Sequence, residues 1–353
     1  MTCPSKGTQL SFRVVLLSVL IVASRPVRSE DHPRLHVVTP KDQGIIATGI
    51  NDRGDVIGFE WIEERPGILK QEPFLARGPK MVYLPLLPGY TSAFPEGVSD
   101  LGVVVGRVSK PAPFNVPVQM RNQGFVWDEA NGMRGLGVLP DDVSSFACGI
   151  SRDGSRISGF SVGKDRVRPC LWELMGEQWA ARVLPHESKL GSTTVAISGN
   201  GQYVTAVDGT VPCLWTRQAD GTWSREVIGE SRSLLPRGVN NSATVVGSRV
   251  DSAGFPHAAI WKRVTGISQF QEPAGYVKSE AYALNNHGLV VGMVDGPAGS
   301  PIGPNAFVVE EGKLRIIHEG GPWFVSATAI NDQGQVAGVF EKEDEVENRP
   351  EVP

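Results

Sequence analysis

Gly49-Ile-Asn-Asp-Arg-Gly-Asp-Val-Ile-Gly58 is a ten-residue phrase on which the whole chain is built. A small residue and an aliphatic one lead into Asn, then a turn with Gly, a short β-rich run and a second small residue. Six further copies follow: Gly97 to Gly106, Gly149 to Gly159, Ala196 to Ala206, Gly238 to Gly247, Ala283 to Gly292 and Ala329 to Gly338. Their anchors, Asn51, Ser99, Ser151, Ser198, Asn240, Asn285 and Asn331, are spaced 48, 52, 47, 42, 45 and 46 residues apart.

Each copy predicts a hairpin. Asn and Asp tolerate left-handed backbone and Gly adopts it without steric cost, so the phrase supplies a tight turn between two strands, a and b. Between copies runs a third strand, c, clearest in Phe125-Val-Trp127, Cys170-Leu-Trp172, Cys213-Leu-Trp215 and Ala259-Ile-Trp261. A fourth short apolar run, d, follows each, as in Met81-Val-Tyr-Leu84. No window holds a 3.6-residue period long enough for a helix. Four strands at a period of roughly 40–50 residues is the signature of a β-propeller. The expected fold is all-β, a seven-bladed β-propeller of four-stranded antiparallel blades. Copies three and four carry one extra residue, which implies a longer turn or a bulge. Copy five has Ala243 in place of the turn Gly.

The last phrase is followed by an acidic, Pro-ending stretch without a strand c, and Leu35-His-Val-Val38 stands before the first phrase as a lone strand. The N-terminal strand is therefore expected to complete the last blade, which would remove two open sheet edges. Lys6 and Arg13 ahead of the apolar run Val14 to Ala23, with small residues after it, read as an export signal over 1–29. The run is too short for a spanning helix, so no membrane span is expected after cleavage. The propeller then covers 30–340, and 341–353 forms an acidic tail read as disordered. The chain is expected to be exported, periplasmic or extracellular, and monomeric.

Composition narrows the function classes. A net charge of −4 argues against a nucleic-acid partner. Cys148, Cys170 and Cys213 remain after signal removal, an odd number without C-x-x-C spacing, so neither a disulfide framework nor a zinc site is supported. Cys170 and Cys213 share a repeat position with Phe125 and Phe307 and read as buried apolar residues.

The phrase, the Phe-Leu-Trp element and the run Leu136-Gly-Val-Leu-Pro140 together resemble the HAF family of extracellular repeat proteins, with His257-Ala-Ala-Ile-Trp261 as the nearest match to its name-giving tripeptide. The resemblance covers roughly Pro33 to Phe340. It implies an exported repeat protein and brings no catalytic motif. Copies three and four also resemble the Ser-x-Asp-Gly units of Tol-type periplasmic propellers.

There is no G-x-S-x-G elbow, no H-E-x-x-H and no P-loop. No catalytic residue, metal or cofactor is assigned. An acid does follow strand d in most units: Asp42, Asp141 with Asp142, Glu187, Glu230, Glu272 and Glu319. The d–a connections share one face of a propeller, and the same loops carry aromatic and His residues. The candidate ligand-binding face is therefore Tyr90, Asp141, Asp142, His186, Glu187, Tyr276, His318, Glu319 and Trp323. Turn chemistry alone also explains such acids. The Trp127, Trp172, Trp215 and Trp261 series reads as packing at blade spacing. The longest b–c loops, Trp61 to Glu72, Ser109 to Asn122 and Asp295 to Pro304, are where recognition is expected to reside. The leading functional expectation is a non-catalytic scaffold binding a protein or carbohydrate ligand. The alternatives are a propeller glycoside hydrolase or lyase that uses acids of the d–a loops, and a structural envelope or matrix protein.

Overall fold

The computed structural model describes residues 20–21, 35–36, 45–65, 68–110, 122–189, 196–298, 303–317 and 323–341. All regular structure among them is β. The strands make six four-stranded antiparallel blades, within 45–83, 92–135, 144–183, 196–227, 235–269 and 278–316, each with its strands side by side in chain order. A partial seventh sheet is built on the hairpin of Trp323–Ile330 and Val336–Glu341. Leu20–Ile21 pairs with Val336 and Ala337, and Leu35–His36 pairs in turn with Leu20–Ile21. The third position of that sheet is thus filled by two residues from within the apolar run read as an export signal.

The phrase folds as its turn chemistry demands. Asn51 Oδ1 accepts the backbone N–H groups of Arg53 and Asp55, closing the hairpin between Ile45–Ile50 and Val56–Arg65. Ser anchors do the same with Oγ, which accepts Val103 N–H in the second blade. The extra residue of copies three and four is absorbed by the turn. Ser151 N–H bonds Arg156 O and Ser198 N–H bonds Tyr203 O, one residue later than Asn51 to Asp55, so the strand keeps its facing. Ala243 takes the left-handed backbone of the Gly it replaces, with φ 60°. The expected loop Trp61 to Glu72 is instead strand, because Val56–Arg65 and Ile68–Arg77 continue their pairing through it.

The core is a set of layers between blades. One layer packs Ile57, Leu75 and Leu84 of the first blade against Val104, Phe125 and Trp127 of the second. The next packs Val105 and Val126 against Ile157, Cys170 and Trp172. Trp215 and Trp261 occupy the same place in the following layers. Two apolar faces per sheet and a neighbour on each side is what forces the stacking. Ala337 joins Ile45, Ala47 and Phe74 in a layer that brings the chain's last hairpin against its first blade.

Candidate functional site

The first strand of every blade lies innermost, and together these strands line an axial channel of about 550 Å³. In each described blade whose first strand is long enough to follow, the pairing of first and second strands skips one residue. The skips fall between Ala47 and Gly49, Pro95 and Gly97, Ala147 and Gly149, Pro236 and Gly238, Ala281 and Ala283, and Ala327 and Ala329. A β-bulge re-aims the extra side chain. Here the extra residues are Thr48, Glu96, Cys148, Arg237, Tyr282 and Thr328, and all six line the channel.

The residue that closes the phrase makes the bulge possible. Gly58 pairs with Ala47 and Gly159 with Ala147, at the point of the skip. A Cβ on Gly58 would lie 2.0 Å from Ile46 O, and one on Gly159 1.9 Å from Phe146 O. The bulged backbone presses into the space that a side chain would need.

The bulge residues divide by chemistry. Thr48 Oγ1 donates to Pro95 O and Thr328 Oγ1 to Ala47 O, each at 2.7 Å, so these two tie one blade to the next. The others present charge and reactive atoms. Arg107 Nη1 donates to Glu96 Oε1 at 2.6 Å, with its guanidinium 4.2 Å from the centre of the Phe94 ring. Burial holds the Glu96 carboxyl above its ordinary range, against the charge and hydrogen bond of Arg107. Its side chain keeps 37% exposure, on the channel that it lines. Arg237 bridges to Glu280 of the next blade at 3.4 Å and lies 5.9 Å from the Tyr282 ring centre. Burial, with the charge of Glu280, pushes the Tyr282 phenol up to about 12.

One mouth of the channel is built from the residues after the anchors. Asp52 N–H donates to Asp100 Oδ1, Asn241 N–H to Asn286 Oδ1, Asn286 N–H to Asp332 Oδ1, and Asp332 N–H to Asp52 Oδ1. Asp100 N–H donates to Arg152 O and Arg152 N–H to Gly199 O. Arg152 reaches across this mouth. Its Nη1 lies 2.6 Å from Asp52 Oδ1 and 3.6 Å from Asp100 Oδ1, and its Nη2 lies 3.7 Å from Asp332 Oδ2. A Cβ on Gly199 would come within 2.9 Å of Arg152 Cγ, so the absent side chain in the fourth copy is what lets the guanidinium cross. Burial raises the Asp52 carboxyl, opposed by the Asp332 N–H and by Arg152.

The residues expected to form a ligand face fall on the opposite side, at separate blade junctions. Asp142 is buried; Arg166 Nε lies 3.1 Å and Arg168 Nη2 2.8 Å from its oxygens. Burial works against its charge, but those arginines and Ser161 outweigh it, and its carboxyl lies below the usual range. Asp141 beside it is exposed in left-handed backbone, and Glu187 is exposed and bridged to Arg225 at 3.0 Å. His186 Nδ1 lies 3.0 Å from Leu184 O. Tyr90 OH donates to Gln123 Oε1 at 2.6 Å, and Tyr276 packs on the layer between the fifth and sixth blades, where burial raises its phenol. His318 and Glu319 lie outside the described residues. Trp323 opens the inner strand of the seventh sheet, and its side chain lies outside the description. The bulge ring was missed from sequence. Its signal is that the residue just ahead of each phrase varies in size and charge while the phrase itself is constant: Thr48, Glu96, Cys148, Val195, Arg237, Tyr282 and Thr328.

No protein-family model matches the chain, and no curated protein matches it in sequence. Solved structures do. The β-propeller domain of the Trilobed protease from Pyrococcus furiosus is 10% identical with a TM-score of 0.55, over 85% of this chain and 90% of that one. Puromycin hydrolase is 12% identical with a TM-score of 0.54, over 86% of this chain and 51% of that one. A post-proline cleaving enzyme from Rickettsia typhi is 10% identical with a TM-score of 0.52, over 82% of this chain and 48% of that one. The chain thus spans about half the length of these two enzymes. The likeness shows the fold, a β-propeller of four-stranded blades. It also corrects the expectation of a non-catalytic scaffold, because the propellers it resembles are parts of peptidases and hydrolases. No helix among the described residues is long and apolar enough to cross a membrane.

Proposed function

We propose that the chain is an enzymatic propeller, one that takes a segment of a polymeric substrate, peptide or carbohydrate, into its axial channel for hydrolysis. The observation that carries this reading is the ring of bulge residues: each described bulge turns one side chain into a common cavity, and one of them is a carboxyl held above its ordinary range. A cavity of several hundred Å³ with a few convergent polar groups suits a substrate segment. Glu96 has the properties of an acid–base group. It can hold a proton nearer to neutral pH than a free carboxyl, take one from water and return it to a leaving group. Arg107 fixes its orientation. Arg237 and Tyr282 supply donors that would position a carbonyl or hydroxyl. The similarity to hydrolase propellers supports the reaction class.

The same reading completes the ring at seven blades, with Leu20–Ile21 and Leu35–His36 filling the last one. The HAF resemblance and the charged-then-apolar N-terminus support an exported protein, here read as a monomer. A signal removed after Ser29 would take Leu20–Ile21 with it and leave Leu35–His36 to pair with the last hairpin directly.

The test is a panel of chromogenic peptides and dyed polysaccharides with wild type and Glu96→Gln. A substrate should be turned over, with kcat in Glu96→Gln down at least a hundredfold, KM little changed and the acid limb of the pH–rate profile lost. Turnover that survives Glu96→Gln, or none across the panel, would sink the proposal.

A further inference from the structure

The second strand of the first blade, Val56–Arg65, has ten residues, against six or seven in the other complete blades. Its partner Ile68–Arg77 matches it in length. The pair extends on the face away from the turn mouth, and beside it lies a cavity of about 600 Å³ at the junction with the second blade. Trp61 and Gln71 stand directly opposite each other in the ladder, so their side chains share one face. Both line the cavity, as do Leu86 and Tyr90.

Gln71 is the anomaly. It is 2% exposed, and neither Oε1 nor Nε2 has a hydrogen-bond partner among the described residues. Buried side-chain amides are ordinarily satisfied, and one left bare keeps an uncompensated desolvation cost. Glu60 nearby shows the ordinary case, accepting from Tyr83 OH at 2.5 Å. Trp61 is anomalous in the opposite sense, a large apolar ring with 36% of its surface exposed at the cavity. Phe59 meets it edge-on, with centroids 6.2 Å apart, and holds one side of the ring. Tyr90 is fixed as a wall by its bond to Gln123 and by Lys110 Nζ, 4.8 Å from its ring centre. Lys70 and Glu72 pair with each other at 2.5 Å, so the lining carries no unbalanced charge from them.

We propose that this cavity is a subsite for a neutral hexopyranose unit of a glycan, with the C–H face of the sugar on the Trp61 indole and two vicinal hydroxyls chelated by the Gln71 amide, which turns out into the cavity as the sugar enters. An aromatic face takes the apolar side of a sugar ring. An amide offers an acceptor and a donor side by side, and adjacent hydroxyls each supply both. The balanced Lys70–Glu72 pair selects a neutral over an anionic sugar. The subsite stands apart from the channel chemistry, because occupancy is a binding event whether or not Glu96 catalyses anything.

The experiment is titration of the full chain with cellohexaose, maltohexaose, hexa-N-acetylchitohexaose and mannohexaose, followed by tryptophan fluorescence and calorimetry, with a polygalacturonate hexamer as the charged control. At least one neutral hexamer should bind. Trp61→Ala and Gln71→Leu should each weaken it tenfold or more, and the charged hexamer should bind at least tenfold less well. Gln71→Leu should meanwhile hold or raise the melting temperature, since it removes a buried amide that lacks a partner. The proposal is overturned if no neutral hexamer binds, if binding survives both substitutions, or if Gln71→Leu lowers the melting temperature by several degrees. Trp61-dependent capture of a random peptide library without sugar binding would also overturn it.

Discussion

Replacing Asn331 by Ser separates two jobs that the anchor residue performs at once. Asn331 Oδ1 accepts the N–H groups of Gln333 and Gln335 and so builds its own turn. Its Nδ2 donates to Asn51 O at 2.7 Å and to Gln335 Oε1 at 2.7 Å. The first of these joins the last hairpin to the first blade, residues 280 apart in sequence. A Ser at this place keeps the turn, as Ser99 does, but has no arm to reach the next blade. Asn51 O also accepts from Gly54 N–H, so the carbonyl is left half-satisfied rather than bare. The loss should therefore sit near the low end for a buried hydrogen bond, about 1 kcal/mol. Gln335 is less enclosed and can turn to water, so it adds little. In a propeller of this size, at about 2 cal/mol/K of unfolding entropy per residue, the shift is about 1.5 °C in melting temperature. Asn331→Asp should cost more than Asn331→Ser, because it sets a carboxylate against the same carbonyl. Chemical denaturation gives the free energies. Hydrogen exchange should show faster opening across Ile45–Ile50 and Val336–Glu341 in both variants. If Asn331→Ser proves neutral, or Asn331→Asp no worse than Ser, the assignment of that arm to closing the propeller is wrong.

Two further outcomes follow from the geometry. His257 lies between two carboxylates, with Nδ1 2.7 Å from Glu272 Oε1 and Nε2 3.2 Å from Asp251 Oδ2. Burial opposes its charge, but Glu272 and Asp251 outweigh burial and raise its pKa. Its contribution is therefore complete below the unfolded value near 6.5 and lost as pH rises through the higher folded value. Wild type should exceed His257→Gln by about 1–2 kcal/mol at pH 6, through the Glu272 contact, and the gap should narrow by pH 9 in urea titrations; a gap that widens with pH contradicts the reading. At the bulge, Gly159→Ala drives a methyl into Phe146 O and should cost about 3 kcal/mol, whereas Gly176→Ala, left-handed but with open space, should cost about 1 kcal/mol. Equal losses in thermal melts would mean that the small residue closing the phrase is not what accommodates the bulge.

Asn51, Gly54 and Gly58 already contain the hairpin, because turn chemistry is local and acts through the residue's own backbone. The spacing of the anchors and the Trp series contain the blades and their stacking, because a sheet with two apolar faces has few ways to cover both. Those features were legible one residue type at a time. The channel side chains were not. Alternation along a strand assigns faces by counting in twos, and the bulge at Thr48, Glu96 and their equivalents breaks the count where it matters. Arg152 over Gly199 needs a side chain from one copy and a missing one from the next, brought together only around the axis. The acids after strand d looked alike in sequence, yet Asp142 is sealed between two arginines while Asp141, one residue earlier, faces solvent. The bare amide of Gln71 depends on what fails to lie near it, which no local pattern encodes. The repeating unit is written in the residues alone, since it rests on short-range turn and burial preferences. Which residues meet is settled only once the blades stack, because the channel takes its wall from strands up to 280 residues apart, while the cavity forms where the first blade abuts the second.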